Sequence, residues 1–135
     1  MFRYYGREDL EKLRYYQVPK VLVERKQYLE LGLAEKLVYG ILLDRTMLSI
    51  KNDWFDEDGH AYILFSGETL GEVLGVHEKT ARKYIRNLQK FNLLKEKRMG
   101  RGMSNRIYLA QPDYLQEDTY VPKEENNQKN TPQTI

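Results

Sequence analysis

The sequence predicts a mainly α fold with a small β part, an α+β winged helix-turn-helix. Three features point there. A short helix and a longer basic helix meet at a glycine corner, Gly75-Val76, and such a corner lets two helices cross at about 90–120°. The second helix of the pair carries apolar residues at three- and four-residue spacing, the mark of an amphipathic helix. Behind it, two short strands flank a glycine-rich basic tip, the pattern of a β-hairpin.

Taken in order, the 135 residues suit one domain with a tail. From Met1 to Gln17 the apolar residues are irregular, with a short strand expected over Leu13–Gln17. Pro19 opens a helical turn, its fixed φ matching a first helical position. Leu33, Leu37, Val38, Ile41, Leu42, Met47 and Leu48 place a helix over Leu33–Ile50. Trp54–Phe65 reads as a hairpin turning at Asp56–Gly59. Ser66 then caps a helix over Thr69–Leu74, its hydroxyl accepting from open first-turn amides. Gly75 makes the corner, since glycine takes positive φ without strain. The basic helix runs from Glu78 to Phe91 with Ala81, Tyr84, Ile85 and Leu88 as its apolar stripe, and Asn92 ends it. Strands over Leu94–Met99 and Arg106–Leu109 close the unit.

This divides the chain into an N-terminal arm (1–31), a winged-helix domain (32–111) and a polar tail (112–135). The tail is expected to be a disordered linker toward a further C-terminal domain, because it holds too little apolar area to offset its ordering entropy.

Net charge is only +2, but its distribution is uneven. Between His77 and Arg106 lie ten basic residues against Glu78 and Glu96, a local +8 that leaves −6 for the rest. Such asymmetry fits either a polyanion-binding face or a plain solvated basic surface. With no cysteine there are no disulfides or thiolate metal sites, and a cytoplasmic protein is the simplest expectation. No apolar run approaches the roughly 20 residues that cross a bilayer, and the first residues lack the apolar stretch and small-residue cleavage site expected of a signal peptide. An acidic run hints at a calcium loop. With Gly59 in its sixth position, however, the first and twelfth fall on Trp54 and Phe65, which offer no oxygen ligand. His60 and His77 lack zinc spacing, and no nucleophile triad or phosphate loop is present. The expectation is no enzyme and no cofactor.

The chemistry therefore rests on the basic helix. Lys79, Arg82, Lys83 and Arg86 share the face opposite its apolar stripe. An arginine can pair bidentately with guanine O6 and N7, whereas a lysine serves phosphate as a point charge. Arg82 and Arg86 are the expected base readers. Lys79, Thr80 and Lys83 divide between base and backbone roles, with Thr80 equally open to a packing role. Arg98, Arg101, Ser104, Asn105 and Arg106 belong to the hairpin, where Gly100 and Gly102 permit close approach to a sugar–phosphate surface. Thr69 is either a phosphate contact or an ordinary helix-start residue. The partner so read is double-stranded DNA. Tyr4, Tyr5, Tyr15 and Tyr16 have no obvious place in such a core, and tyrosine is enriched at interfaces. They are the expected contacts of a homodimer.

Two strings carry a resemblance: Tyr-Gln-Val-Pro-Lys (Tyr16–Lys20) and LVYGILLDRTMLSIKNDWFDEDG (Leu37–Gly59). In these, and onward to about Tyr108, the chain resembles the N-terminal domain of the RepA_N-type plasmid replication initiators of Gram-positive bacteria. The resemblance implies sequence-specific binding to repeated origin sites (iterons), initiation of plasmid replication, and a C-terminal domain that engages host replication factors. Arg45, Ser49, Lys51 and Asn52 match the family's string with either a DNA-backbone or a structural role. Gly32 departs from the polar residue usual at that helix start, and the tip departs at Arg101 and Met103. A winged-helix repressor would use the same groove chemistry. A winged helix used for protein contact fits the basic cluster less well.

Overall fold

The structure is a computed structural model that describes residues 1–11 and 13–113. Its elements are α1 (Lys20–Glu24), α2 (Leu33–Lys51), α3 (Gly67–Leu74), α4 (Glu78–Lys90), β1 (Leu94–Lys97) and β2 (Arg106–Leu109), with single 3-10 turns at Arg7–Asp9 and Lys26–Tyr28. Helices packed with one small antiparallel hairpin make a winged-helix-like arrangement.

The expected helices are present, with ends shifted by a residue or two. Helix α2 begins at Leu33 and extends to Lys51, and Gly32 before it offers no side-chain cap. It is buried over most of its circumference, through Val38, Tyr39, Gly40, Ile41, Leu42, Thr46 and Ser49. The buried Thr46 hydroxyl donates back to the Leu42 carbonyl at 2.8 Å, so burial leaves it satisfied. Helix α3 begins two residues earlier than expected, at Gly67, with Ser66 accepting from the Thr69 amide. Pro19 sits one place before α1 as its N-cap.

The core joins Leu22, Tyr28 and Leu31 to Val38, Leu42, Leu70, Ala81, Ile85, Leu88, Leu93 and Ile107. It thus crosses the boundary expected at residue 32, because the apolar side chains of α1 and the turn after it have no other shelter. At the far end Pro112 is buried, and the Asp113 amide donates to the Tyr28 hydroxyl at 3.1 Å. The expected linker lies, from residue 114 on, outside the described residues.

The strand expected over Leu13–Gln17 does not form; the chain there runs without strand pairing. Instead it passes over α2 at Gly40, where an added Cβ would stand 3.0 Å from Val18 Cγ2 and 3.1 Å from the Gln17 carbonyl oxygen. The two strings that carry the family resemblance therefore meet in space, and Gly40 is the residue that lets them.

The Trp54–Phe65 hairpin is reduced to one bridge, Phe55 with Ala61. Its return limb is drawn off instead to β2, where Ile63 and Ile107 exchange amide–carbonyl bonds of 3.0 and 2.9 Å. The wing is thus β1 and β2, paired in register from Leu94–Leu109 to Lys97–Arg106, with Ile63 on the outer side of β2. Strand β1 stops at Lys97 rather than Met99.

Candidate nucleic-acid interface

Helix α4 is positioned from beneath. Ala81, Ile85 and Leu88 are buried against the core, and the half-buried Tyr84 packs beside them. A polar tie adds direction, as Asn87 Nδ2 donates to Glu35 Oε2 of α2 at 2.6 Å. At its N-terminus His77 acts as cap, its Nδ1 accepting from the Lys79 amide at 3.0 Å.

The corner between α3 and α4 depends on two glycines. Gly75 adopts φ +71°, as expected. Gly71 was not singled out by the sequence, yet a Cβ there would lie 2.8 Å from the Val76 carbonyl oxygen. The signal was available: a glycine inside a helix costs about 1 kcal/mol relative to alanine, so its presence hints at close backbone approach.

With α4 so placed, Lys79, Arg82, Lys83 and Arg86 are all exposed, and Thr80 is half-buried. Arg82 and Arg86 line a concavity together with Thr69 of α3 and Arg98, Ser104 and Asn105 of the wing. Six of the eleven expected site residues thus share one surface. Lys79 and Lys83 lie on α4 outside that lining, and Arg101 is exposed at the tip. The tip turns through Gly100 at φ +124° and Gly102 at φ +76°, a backbone that side chains rarely adopt.

The same concavity includes groups the sequence reading did not assign to the site: Ser66, Gly67 and Glu96. Ser66 Oγ donates to Thr69 Oγ1 at 3.0 Å, which ties the two hydroxyls together at the α3 N-terminus. Amides there favour an anion, and so does the aligned helix dipole. Glu96 accepts from Asn105 Nδ2 at 3.4 Å, and its amide donates to Gln89 Oε1 at 3.0 Å. It anchors the wing to α4 while placing one negative charge in a positive surface.

Arg106 sits elsewhere. Alternation along β2 turns it with Tyr108 to the face away from the core. Its guanidinium lies 4.2 Å from the Tyr62 ring centroid and Nη1 donates to the Tyr108 hydroxyl at 3.4 Å. The Tyr108 hydroxyl in turn donates to Asp56 Oδ2 at 2.9 Å. The Asp56 Oδ1 accepts from the amides of Asp58 and His60, both at 2.9 Å. These donors, the His60 amide first, hold the Asp56 carboxyl below its ordinary value against the opposing effect of burial. The Tyr108 contact raises Arg106, which stays a cation. Asp56, Asp58 and His60 offer ligand atoms within 4.8 Å of one another, but Asp56 already accepts at both oxygens. The group is a turn closed on itself and carries no cofactor reading.

Of the family-like residues at the end of α2, Arg45, Lys51 and Asn52 are exposed. Ser49 is buried and its carbonyl accepts from the Trp54 amide at 2.9 Å; Arg45 lies 5.3 Å from the Phe65 ring centroid. Tyr4, Tyr5, Tyr15 and Tyr16 are all exposed. Among the described residues, no helix is long and apolar enough to cross a membrane.

Residues 14–122 match the model of the replication initiator protein A (RepA) N-terminus. Solved structures share the fold, among them three relatives. One, described as a Rep–DNA complex, is 38% identical over 86% of this chain and 89% of its own, with a TM-score of 0.71. A second, an N-terminal domain of a DNA-binding protein, is 38% identical over 84% and 86%, with a TM-score of 0.69. The third, an MDR initiator, is 34% identical over 82% and 88%, with a TM-score of 0.66. A 41 kDa protein of Lactobacillus helveticus is 28% identical over 118 residues, 83% of this chain but only 33% of that relative. The chain thus spans about a third of the length of that curated relative. Domains of this kind are non-catalytic modules. By match and by fold, the chain belongs to the RepA_N family of plasmid replication initiator domains.

Proposed function

We propose that this domain binds double-stranded DNA in a sequence-specific way at repeated sites (iterons) of a plasmid origin, and so starts replication. The observation that carries the reading is the shared concavity of Thr69, Arg82, Arg86, Arg98, Ser104 and Asn105. A helix fits the major groove, about 12 Å wide, and Arg82 and Arg86 then face base edges. Lys79 and Lys83 meet flanking phosphates, Thr80 lies at the groove wall, and the tip residue Arg101 reaches the neighbouring backbone. Relatives described as a Rep–DNA complex, a DNA-binding protein and an MDR initiator support the reading; the narrower proposal is kinship with initiators of staphylococcal multiresistance plasmids.

In the same reading the exposed tyrosines Tyr4, Tyr5, Tyr15 and Tyr16 join two copies, and a further C-terminal domain engages host replication factors. Acting on plasmid DNA places the protein in the cytoplasm. Replacing the four tyrosines with serine should yield a monomer by light scattering. A variant that still runs as a dimer would remove the arm from the interface.

The function is tested by binding to the plasmid's own origin across a salt series. Log K should fall linearly with log salt, with a slope that counts the phosphates neutralised. Affinity for the origin should exceed that for random duplex throughout. Equal affinity for both would end the sequence-specific reading.

A further inference from the structure

Arg82 leaves α4 beside the first residue of α3, and two neighbours confine it. Its stem lies across Gly67: a Cβ on that glycine would stand 2.5 Å from Arg82 Cγ, 3.2 Å from Nε and 3.4 Å from Cδ. Its head is held by Glu78, one turn earlier on α4, with Nη2 2.8 Å from Oε1. The ion pair is well exposed, at 61% for Arg82 and 42% for Glu78, so it adds little to folding stability. Its effect lies in where the guanidinium points. A carboxylate beside a groove of phosphates would otherwise only repel the ligand.

We propose that Gly67 and Glu78 are positioning residues for Arg82. The bare glycine leaves a lane for the arginine stem, and the carboxylate aims its fork, so base selection at the Arg82 position depends on all three. This rests on the reading of Arg82 as a base contact. The overlap at Gly67 involves Cγ, only one bond beyond Cβ. A methyl group there cannot be avoided by moving the guanidinium alone; χ1 must change, and the whole side chain swings to another staggered well. Preorganisation of this kind spares the rotamer entropy that a loose arginine would lose on binding.

The experiment compares wild type with Arg82→Ala, Gly67→Ala, Glu78→Ala and the doubles G67A/R82A and E78A/R82A. Each is titrated against origin duplexes carrying single base substitutions and against random duplex. Arg82→Ala should lose roughly tenfold discrimination at one base position. Gly67→Ala and Glu78→Ala should each lose most of that discrimination at the same position. On random duplex Gly67→Ala should lose far less affinity than it loses on the origin duplex, while Glu78→Ala should bind more tightly because a negative charge has left. Each double should discriminate no worse than Arg82→Ala alone; additive losses would overturn the proposal. If Arg82→Ala keeps wild-type preferences, the base-reading assignment itself falls. If Arg82→Ala flattens the preference while the other singles retain it, only the positioning roles fall. Should Gly67→Ala fail to fold, Glu78→Ala and its double decide the matter.

Discussion

Helix α4 and the wing both carry dense positive charge, yet they commit it differently. On α4 the core grips one stripe, Ala81, Ile85 and Leu88, and Lys79, Arg82, Lys83 and Arg86 all remain exposed. The wing has no buried stripe of comparable length, only Leu94, Ile107 and the half-buried Leu109 facing inward. It makes up the difference with polar contacts, and Arg106 is spent on them: on Tyr62, on Tyr108, and through Tyr108 on Asp56. An element with a deep apolar footing can leave its cations exposed to a ligand, even where one of them, Arg82, also pairs with Glu78 on the same helix. One without it recruits some of them to hold itself together.

The footing of α4 gives the largest expected effect. Gly71→Ala would gain about 1 kcal/mol if helix propensity alone decided. The added Cβ meets a backbone carbonyl at 2.8 Å, however, and overpacking of that kind costs about 1–3 kcal/mol. We expect net destabilisation, visible as a lower urea midpoint, and a loss of DNA affinity as the angle between α3 and α4 opens. A neutral or stabilised variant would show that the corner tolerates a wider separation and that α4 is not so tightly placed.

Next in size is the free charge of α4 itself. Arg86→Ala should leave the urea midpoint within about 0.5 kcal/mol of wild type, as for other surface changes. It should cost about 1–3 kcal/mol in binding and relax preference at one base position. Uniform weakening on every sequence would reassign Arg86 to a phosphate and narrow the difference between helix and wing.

The wing is expected to divide between stem and tip. Arg106→Ala should lower the melting temperature by removing the ring contact and the bond to Tyr108, with base preference unchanged. Arg101→Ala should leave melting unchanged and reduce the salt slope by about one. If Arg106→Ala reduced the salt slope while leaving melting intact, the stem would be a ligand contact after all.

These contrasts mark where the sequence was legible. The stripe of α4, the Ser66 cap and the Gly75 corner follow from periods and residue types that act within a few positions, so they could be read in advance. The outward turn of Arg106 follows from its alternation with Ile107 and Leu109, but the partners it meets there could not be read, because Tyr62 and Asp56 come from a distant segment. The same holds for Gly40 and Gly67, whose neighbours lie 22 and 15 positions away at Val18 and Arg82. The strand expected over Leu13–Gln17 failed for a related reason. The irregular apolar pattern left a strand open, but the nearest surface on offer was helix α2 at Gly40 rather than a sheet edge.

The smallest effect concerns the charge beneath the wing stem. The Asp56 carboxyl is held below its ordinary value by the His60 amide, the Tyr108 hydroxyl and the Asp58 amide. A carboxylate whose folded value is depressed contributes stability that is present above its unfolded value, near 3.9, and lost as pH falls through the folded value. Asp56→Asn keeps an oxygen for the two amides but removes the charge that faces Tyr108 and, beyond it, Arg106. At neutral pH the variant should therefore melt slightly below wild type. As pH drops beneath about 4 the gap should close, because wild type loses its carboxylate while the amide does not titrate. A gap that persisted unchanged into acid would mean that Asp56 shapes its turn by geometry alone, and that the wing stem, like α4, stands without help from charge.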